Sequence, residues 1–366
     1  MASLARIAAF TDTYLPTVNG VTYTIRTWRE RWRERGGRMD VVYPGAEEYR
    51  AEAGEFPVPS LPFPFYDDFQ LGVPAIPDAV READIVHAHT PFGVGLGGFE
   101  LAREDDRPLV ASYHTPTSEY AGYLVEGWLR DVVARVGDAY ERWFLKRADR
   151  VVVPSETARD ALRRRGVRPV SVVPNGVDVE FFGPTDPEEF RARYDLPEGP
   201  LMGYTGRHGY EKRLADLIEA AASMDVTLVF GGDGPARESL EAQAEELDVD
   251  ARFLGFLDRV ELPEFYSALD AFAFPSPIET QGLVALEAIA CGTPVVAVSS
   301  GALVDTIEDG RTGYHYPPGD IAAFERALRR ALAERERLRE ECLTRREGIS
   351  VERAIDGLEA VYDDVY

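Results

Sequence analysis

Short, densely apolar runs recur along this chain, separated by longer stretches in which apolar positions return every three or four residues. The runs are Ala5 to Thr11, Met39 to Tyr43, Asp84 to His89, Leu109 to Tyr113, Arg150 to Pro154 and Val170 to Val173. A second series follows at Leu201 to Thr205, Val226 to Phe230, Ala251 to Leu257, Ala271 to Phe274 and Val295 to Val298. Continuous apolar runs of this length, bounded by Gly, Pro, Asn and Asp, fit strands covered on both faces. Between them lie helical patterns. Val21, Ile25, Trp28 and Trp32 fall at i, i+4, i+7 and i+11. In the stretch Tyr123 to Arg147, Val125, Leu129, Val132, Val136, Tyr140 and Trp143 share one face, and Ser350 to Tyr366 is amphipathic. Strands alternating with helices predict parallel, doubly wound α/β sheets. The turn-rich phrase VPNGVDVEFFGP, Val173 to Pro184, interrupts the alternation and marks a domain boundary. The expected division is 1–180, 181–346 and a C-terminal helix, 347–366.

Length and composition narrow the class. At 366 residues and 45% hydrophobic content the chain can build two cores of ordinary size. No apolar run reaches the roughly 20 residues of a membrane-spanning helix, because Glu287 breaks the longest candidate. MASLARIAAFTD leads into a strand pattern and lacks the form of a signal peptide, so a cytoplasmic protein is expected. Cys291 and Cys342 have neither disulfide nor metal-ligand spacing.

The formal charge is −24, from 64 acidic residues, and there are only two lysines, Lys146 and Lys212. So acidic a surface is tolerable where salt screens it and resembles proteins of salt-accumulating archaea. It argues against nucleic acid as a partner and against a broad electrostatic grip on an anionic membrane. Locally the balance reverses. From Thr24 to Arg38, six arginines (26, 29, 31, 33, 35 and 38) face Glu30 and Glu34, a net +4. That helix reads either as peripheral contact with the inner membrane face or as a solvated outer surface. FPVPSLPFPFYDDF, Phe56 to Phe69, either packs across a domain face or lines an acceptor mouth.

Chemistry concentrates in AFAFPSPIETQGLVALEAIACGTPVVAVSS, Ala271 to Ser300. It predicts a strand, a stiff Pro turn, a helix from Gly282 to Cys291 and a second strand. Glu287 lies in a helix that is apolar nearly all round, so its carboxylate must find a donor or a ligand hydroxyl. Glu279 precedes the helix. Gly282 to Glu287 spans five residues, roughly 7.5 Å at 1.5 Å per residue, enough for the two carboxylates to grip different parts of one extended ligand. A buried glutamate bonded to backbone and a solvated loop glutamate would fit equally well. In GRHGYEKR, Gly206 to Arg213, Arg207 and Lys212 share a strand-to-helix loop, good chemistry for a diphosphate, with ordinary surface charge as the alternative. GGDGP at Gly231 to Pro235 is not a GxGxxG fingerprint, and there is no Walker lysine. His87 and His89 lie two apart without a third ligand nearby in sequence, favouring packed, hydrogen-bonded rings over a metal site.

The frame around the two glutamates, PSxxET-x-GL-x-x-LEA-x-A-x-GTPVV, resembles the retaining glycosyltransferases of the GT-B fold, in the large Glu-x7-Glu family. DTYLPTVNGV, GR-x-x-x-x-K and HTPTSEY resemble other motifs of that family. The resemblance implies two Rossmann-like domains facing a cleft and a nucleotide sugar as partner. It gives reaction-centre roles to His114, Arg207, Lys212 and Glu279. For the nucleotide sugar it marks Gly20, Gly206, Leu254, Gly255, Phe256, Gln281, Gly282, Leu283 and Glu287. It implies neither a metal nor a cofactor. ETQGL, where ET-Phe-GL is commoner, together with the first loop, resembles members acting on membrane lipids or lipid-linked glycans. A GT-B-like sugar-nucleotide epimerase and a non-catalytic sugar-binding module are the rivals.

Overall fold

The computed structural model describes residues 4–17, 19–62, 70–114 and 128–366. Two compact units form. One takes residues up to Asn175 plus Ala354–Tyr366, the other Gly176–Arg353. The division thus falls inside the VPNG phrase, slightly before residue 180.

The first unit is built on β1 (Arg6–Phe10), β2 (Arg38–Pro44), β3 (Glu55–Val58), β4 (Ser60–Pro62), β5 (Gln70–Gly72), β6 (Ile85–Ala88), β7 (Leu109–Ser112), β8 (Arg150–Val153) and β9 (Val170–Val172). Seven of these make a parallel sheet in the order β3-β2-β1-β6-β7-β8-β9, while β4 and β5 pair antiparallel as a separate ribbon. The second unit carries β10 (Leu201–Thr205), β11 (Thr227–Gly231), β12 (Ala251–Gly255), β13 (Ala271–Phe274), β14 (Val295–Val298) and β15 (Gly313–Tyr316), all parallel, in the order β12-β11-β10-β13-β14-β15. Central strands have helices against both faces, and their residues are buried throughout: Leu201, Met202, Phe272 and Val296 expose no surface.

The sequence pattern locates these strands, with adjustments at the ends. The run expected to reach Leu257 stops at Gly255, whose φ of +75° bends the chain off the sheet. The helix expected from Gly282 begins at Leu283, because Gly282 sits at φ +78° as its N-cap. A Cβ there would press 2.8 Å from Phe274 and 2.9 Å from Leu303, so glycine is required on both counts. Of the stretch Phe56 to Phe69, residues 63–69 lie outside the described residues, as do residues 123–127 of the Tyr123 pattern. The helix seen in that pattern runs Trp128–Leu145.

The arginine-rich helix, Gly20–Glu34, turns Ile25, Trp28 and Trp32 into the core. Much of its basic charge is paired with acids nearby. Arg26 faces Glu30 at 3.8 Å, Arg31 faces Glu34 at 2.9 Å, Arg35 meets Asp356 at 2.7 Å and Arg38 meets Asp40 at 2.7 Å. Arg29 is buried and donates to Glu55 at 2.8 Å. This internal pairing fits the solvated-surface reading.

Glu55 also accepts from the Tyr14 hydroxyl at 2.9 Å, the Tyr49 hydroxyl at 2.8 Å and the Glu52 amide at 2.9 Å. Burial alone would raise its pKa. These donors and Arg29 outweigh it and hold the carboxyl below the usual range. Removing Arg29 would leave a buried, uncompensated carboxylate beneath the loop that leads to Gly20. Arg29→Ala is therefore expected to lower the unfolding free energy of the first unit by about 3–5 kcal/mol, read from urea melts, with a charge-neutral Glu55→Gln/Arg29→Ala pair recovering part of the loss.

Candidate functional site

In open parallel sheets, ligands bind beyond the carboxyl ends of the strands where the strand order reverses. In the second unit that reversal lies between β10 and β13, hydrogen-bonded neighbours that are far apart in the chain. The loop after β10 carries Arg207 and Lys212, and the loop after β13 carries Glu279 and Gly282. Lys212 Nζ donates to Glu279 Oε1 at 2.7 Å, with both side chains mostly shielded from solvent. Arg207 lies in the same loop and pairs with Glu211. The helix Leu283–Ala290 starts directly after Gly282 with no side-chain cap, so its N-terminal amides face the same strand ends with their anion-binding capacity intact.

Glycines knit the neighbouring loops into one rim. Gly206 N–H donates to the Gly231 carbonyl at 3.1 Å, and Gly232 N–H to the Gly255 carbonyl at 2.6 Å. A Cβ on Gly232 would sit 2.1 Å from the Gly206 carbonyl oxygen, so the β10, β11 and β12 loops approach too closely for any side chain there. His208 adds amide and carbonyl bonds to Asp233 and Ala236 at 2.8 and 2.9 Å. Beyond Leu254 and Gly255, Phe256 projects with 72% of its surface exposed. Such a ring can stack on a planar ligand.

Glu287 occupies the buried position its helix pattern requires. Its partner is the Tyr266 hydroxyl, donating to Oε2 at 2.7 Å. Burial raises the Glu287 pKa, with Tyr266 and the charge of Arg259 acting in the opposite direction. Of the alternatives the sequence left open, backbone bonding is thus replaced by a tyrosine. Gln281 is buried, and its carbonyl accepts from Thr306 Oγ1 at 2.6 Å.

In the first unit the order reverses between β1 and β6. Asp12, after β1, accepts from Thr90 Oγ1 at 2.5 Å and from the Val94 amide at 2.8 Å, tying the DTYLPTVNG loop to the one after β6. Asn19 caps the helix at Thr22 N, 3.0 Å, and leaves Gly20 exposed at its first turn. His114, at the end of β7, is not alone. Its Nε2 lies 3.0 Å from His89 Nδ1, and the two rings stack at 5.4 Å. His87 stacks on His89 at 4.1 Å and is held by the Tyr362 hydroxyl at 2.7 Å and Ser112 Oγ at 2.8 Å. Trp28 lies 6.0–6.4 Å from all three rings.

The three-ring stack, the Tyr266 partner of Glu287 and the Asp12 tie are absent from the sequence reading. Only the first had a usable signal. β6 and β7 are consecutive parallel strands in direct register, with His87 opposite Val110, so HAH and the following YH must end side by side. The remaining expected positions divide between the units: Gly20 and His114 in the first, and Arg207, Lys212, Glu279 and the nucleotide-sugar positions from Gly206 to Glu287 in the second. Among the described residues, no cluster of three or more His, Cys, Asp or Glu is arranged to hold a metal.

Comparison with known proteins bears on both units. The family model described as glycosyl transferases group 1 matches residues 186–345, and that described as glycosyltransferase family 4 matches residues 18–181. The alpha-monoglucosyldiacylglycerol synthase of Streptococcus pneumoniae is 32% identical over 87% of this chain and 76% of its own length. A GDP-mannose-dependent alpha-mannosyltransferase of Mycobacterium tuberculosis is 34% identical over 90% of this chain and 87% of its own. Among solved structures, HepE from Anabaena in complex with UDP and glucose superposes with a TM-score of 0.79, covering 98% of this chain and all of that one at 21% identity.

The histidine stack has a pH signature. Burial pushes His87 down to about 3 and His114 down to about 4, and His89 lies well below the ordinary value. The neutral rings thus favour folding above about pH 6.5, the unfolded value, and this stabilisation is lost as pH falls from there toward 4. Urea midpoints of the first unit's unfolding should drop between pH 7.5 and 5, before most carboxylates titrate. In His89→Leu the slope should flatten.

Proposed function

The chain belongs to the glycosyl transferases group 1 family and is a glycosyltransferase of the GT-B fold; on that premise we propose a retaining hexosyltransferase acting on lipid. Its donor is a UDP- or GDP-hexose held by the second unit, and its acceptor is a hydroxyl of a membrane lipid or lipid-linked glycan. The observation that carries this reading is the meeting of Lys212 and Glu279 at 2.7 Å where β10 and β13 adjoin, beside Arg207 and an uncapped helix start. Cations and an anion-binding helix end suit a diphosphate, and a carboxylate next to them suits sugar hydroxyls. The names of the two relatives above, a diacylglycerol glucosylating synthase and a mannosyltransferase, support the substrate classes, as does the UDP in the HepE complex.

In the reaction, the bond between the anomeric carbon and the diphosphate oxygen breaks and the acceptor oxygen bonds to the same face of that carbon. The acceptor proton passes to the departing phosphate oxygen, so no protein nucleophile is assigned. Arg207, Lys212 and the amides after Gly282 stabilise the charge that builds on the leaving group, the role a divalent cation fills elsewhere. Glu279, released from Lys212, binds the sugar, and Glu287, beside Tyr266, binds the ribose. Contact with a membrane surface is part of this reading.

The test is a panel of UDP- and GDP-hexoses against a lipid extract, a diacylglycerol and archaeol at molar salt, with the product anomer read by NMR. Inversion would sink retention, and turnover only on water-soluble acceptors would sink the lipid acceptor. An epimerised nucleotide sugar formed without acceptor would favour epimerase chemistry. Lys212→Ala and Glu279→Gln should each lower kcat by roughly 10²–10³-fold. Glu287→Gln should act mainly on the KM for the nucleotide sugar.

A further inference from the structure

Between Arg207 and Lys212, in the loop after β10, stands a histidine that exposes no surface, His208. Its backbone bonds to Asp233 and Ala236 would form with any side chain, but its ring adds a further one. Nε2 lies 3.3 Å from the Gly231 carbonyl oxygen, which also accepts the Gly206 amide at 3.1 Å. A carbonyl only accepts, so the ring proton is on Nε2. Nδ1 is then a bare lone pair, buried without a partner. The last carbonyl of β11 thus takes two donors from the loop after β10, one from its first residue and one from its third. The surroundings fit the ring closely. Phe230 and Phe253 meet it in T-shaped contacts at 6.1 and 6.2 Å, and Tyr204 lies at 6.4 Å. Gly234, at φ +155°, passes so near that a Cβ there would come 2.8 Å from the His208 backbone nitrogen and oxygen.

We propose that His208 is a positioning residue for the donor diphosphate: its neutral ring, donating from Nε2, ties the loop after β10 to β11 and so holds Arg207 and Lys212 where the phosphates bind. It rests on the diphosphate reading of those two cations and acts through them, not on the ligand. Arg207 and Lys212 are paired with Glu211 and Glu279, and a diphosphate must draw them off those acids. A strut through an uncharged ring keeps the loop in place during that exchange, because it uses none of the charges that change partner. Burial pushes His208 below the ordinary histidine value; the Gly231 carbonyl, Asp233 and Glu241 act against that, and Arg237 acts with it. The other charged groups of the loop are Arg207, Glu211, Lys212 and Arg213, and Tyr204 is held protonated by burial. The ring is therefore neutral at neutral pH. A proton gained as pH falls below about 6.5 would land on Nδ1, where no acceptor waits, and would loosen the strut.

The test is the Kd of the full chain for UDP-glucose and for GDP-mannose, read by calorimetry from about pH 7.5 to about 5.5, with circular dichroism confirming the fold in each buffer. The diphosphate of a nucleotide sugar is esterified at both ends and keeps its charge across this range. His208→Leu fills the space without a donor and should weaken the Kd by roughly tenfold at pH 7.5, the worth of one hydrogen bond. His208→Gln, whose amide can donate to the Gly231 carbonyl, should regain most of that loss. Toward pH 5.5 the wild-type Kd should rise by about threefold or more relative to that of His208→Gln, which has no ring to titrate. Nitrogen-15 spectra of labelled histidine, with the His208 signals identified by their loss in His208→Gln, should show Nε2 protonated and Nδ1 bare. Equal losses in the leucine and glutamine variants, parallel pH profiles for wild type and His208→Gln, or a proton on Nδ1 would each overturn the proposal. These last two readings stand even where His208→Leu does not fold. Lys212→Ala, measured alongside, separates this role from the reading beneath it. A Kd weakened by Lys212→Ala but not by folded His208→Leu would remove the positioning role and leave the diphosphate reading standing. A Kd that neither changes, or a folded wild type that binds neither nucleotide sugar, would remove both.

Discussion

Lys212 and Glu279 are 67 residues apart and meet at 2.7 Å. They can do so because the parallel sheet reverses its strand order between β10 and β13, leaving a gap at the strand ends that no crossover helix fills. Much of the second unit serves that meeting. Gly282 turns the chain through φ +78° so that a helix begins at the right place, and glycines at 206, 231, 232 and 255 let the Lys212 loop and the loops after β11 and β12 draw together. An ion pair in such a setting is half a binding site: each partner satisfies the other's charge until a ligand offers the ammonium a phosphate and the carboxylate a hydroxyl.

The buried polar groups follow one rule. Taking a charge or a ring nitrogen out of water is costly unless a partner is built in, and the chain supplies partners drawn from distant segments. Glu55 collects Arg29, two tyrosines and an amide, Glu287 has Tyr266, and His87 has Tyr362 from the C-terminal helix. The three histidines are held neutral by burial, which lets their rings stack with a hydrogen bond between two of them.

Charge is distributed with the same economy. Most arginines between Arg26 and Arg38 are tied to neighbouring acids, so the local net charge of +4 is largely neutralised there. On Trp128–Leu145, Asp138 and Glu141 pair with Arg165 of another segment. Counting charges along a helix could not reveal the partners Glu55, Asp356 and Arg165, which lie on other elements.

By itself, the sequence determined the repeat of strand and helix, the buried setting of Glu287 and the glycine at the start of its helix, because burial and backbone sterics act over a few residues and leave a periodic trace. The motif frames added the glycosyltransferase family and the residues to watch. Tertiary structure decided who meets whom. Strand order placed Lys212 on Glu279 and brought His114 to His89, and packing gave Glu287 a tyrosine and turned the Val132–Trp143 stripe outward. These contacts join residues on separate strands and helices, and no spacing along the chain encodes a neighbour that only the sheet brings near.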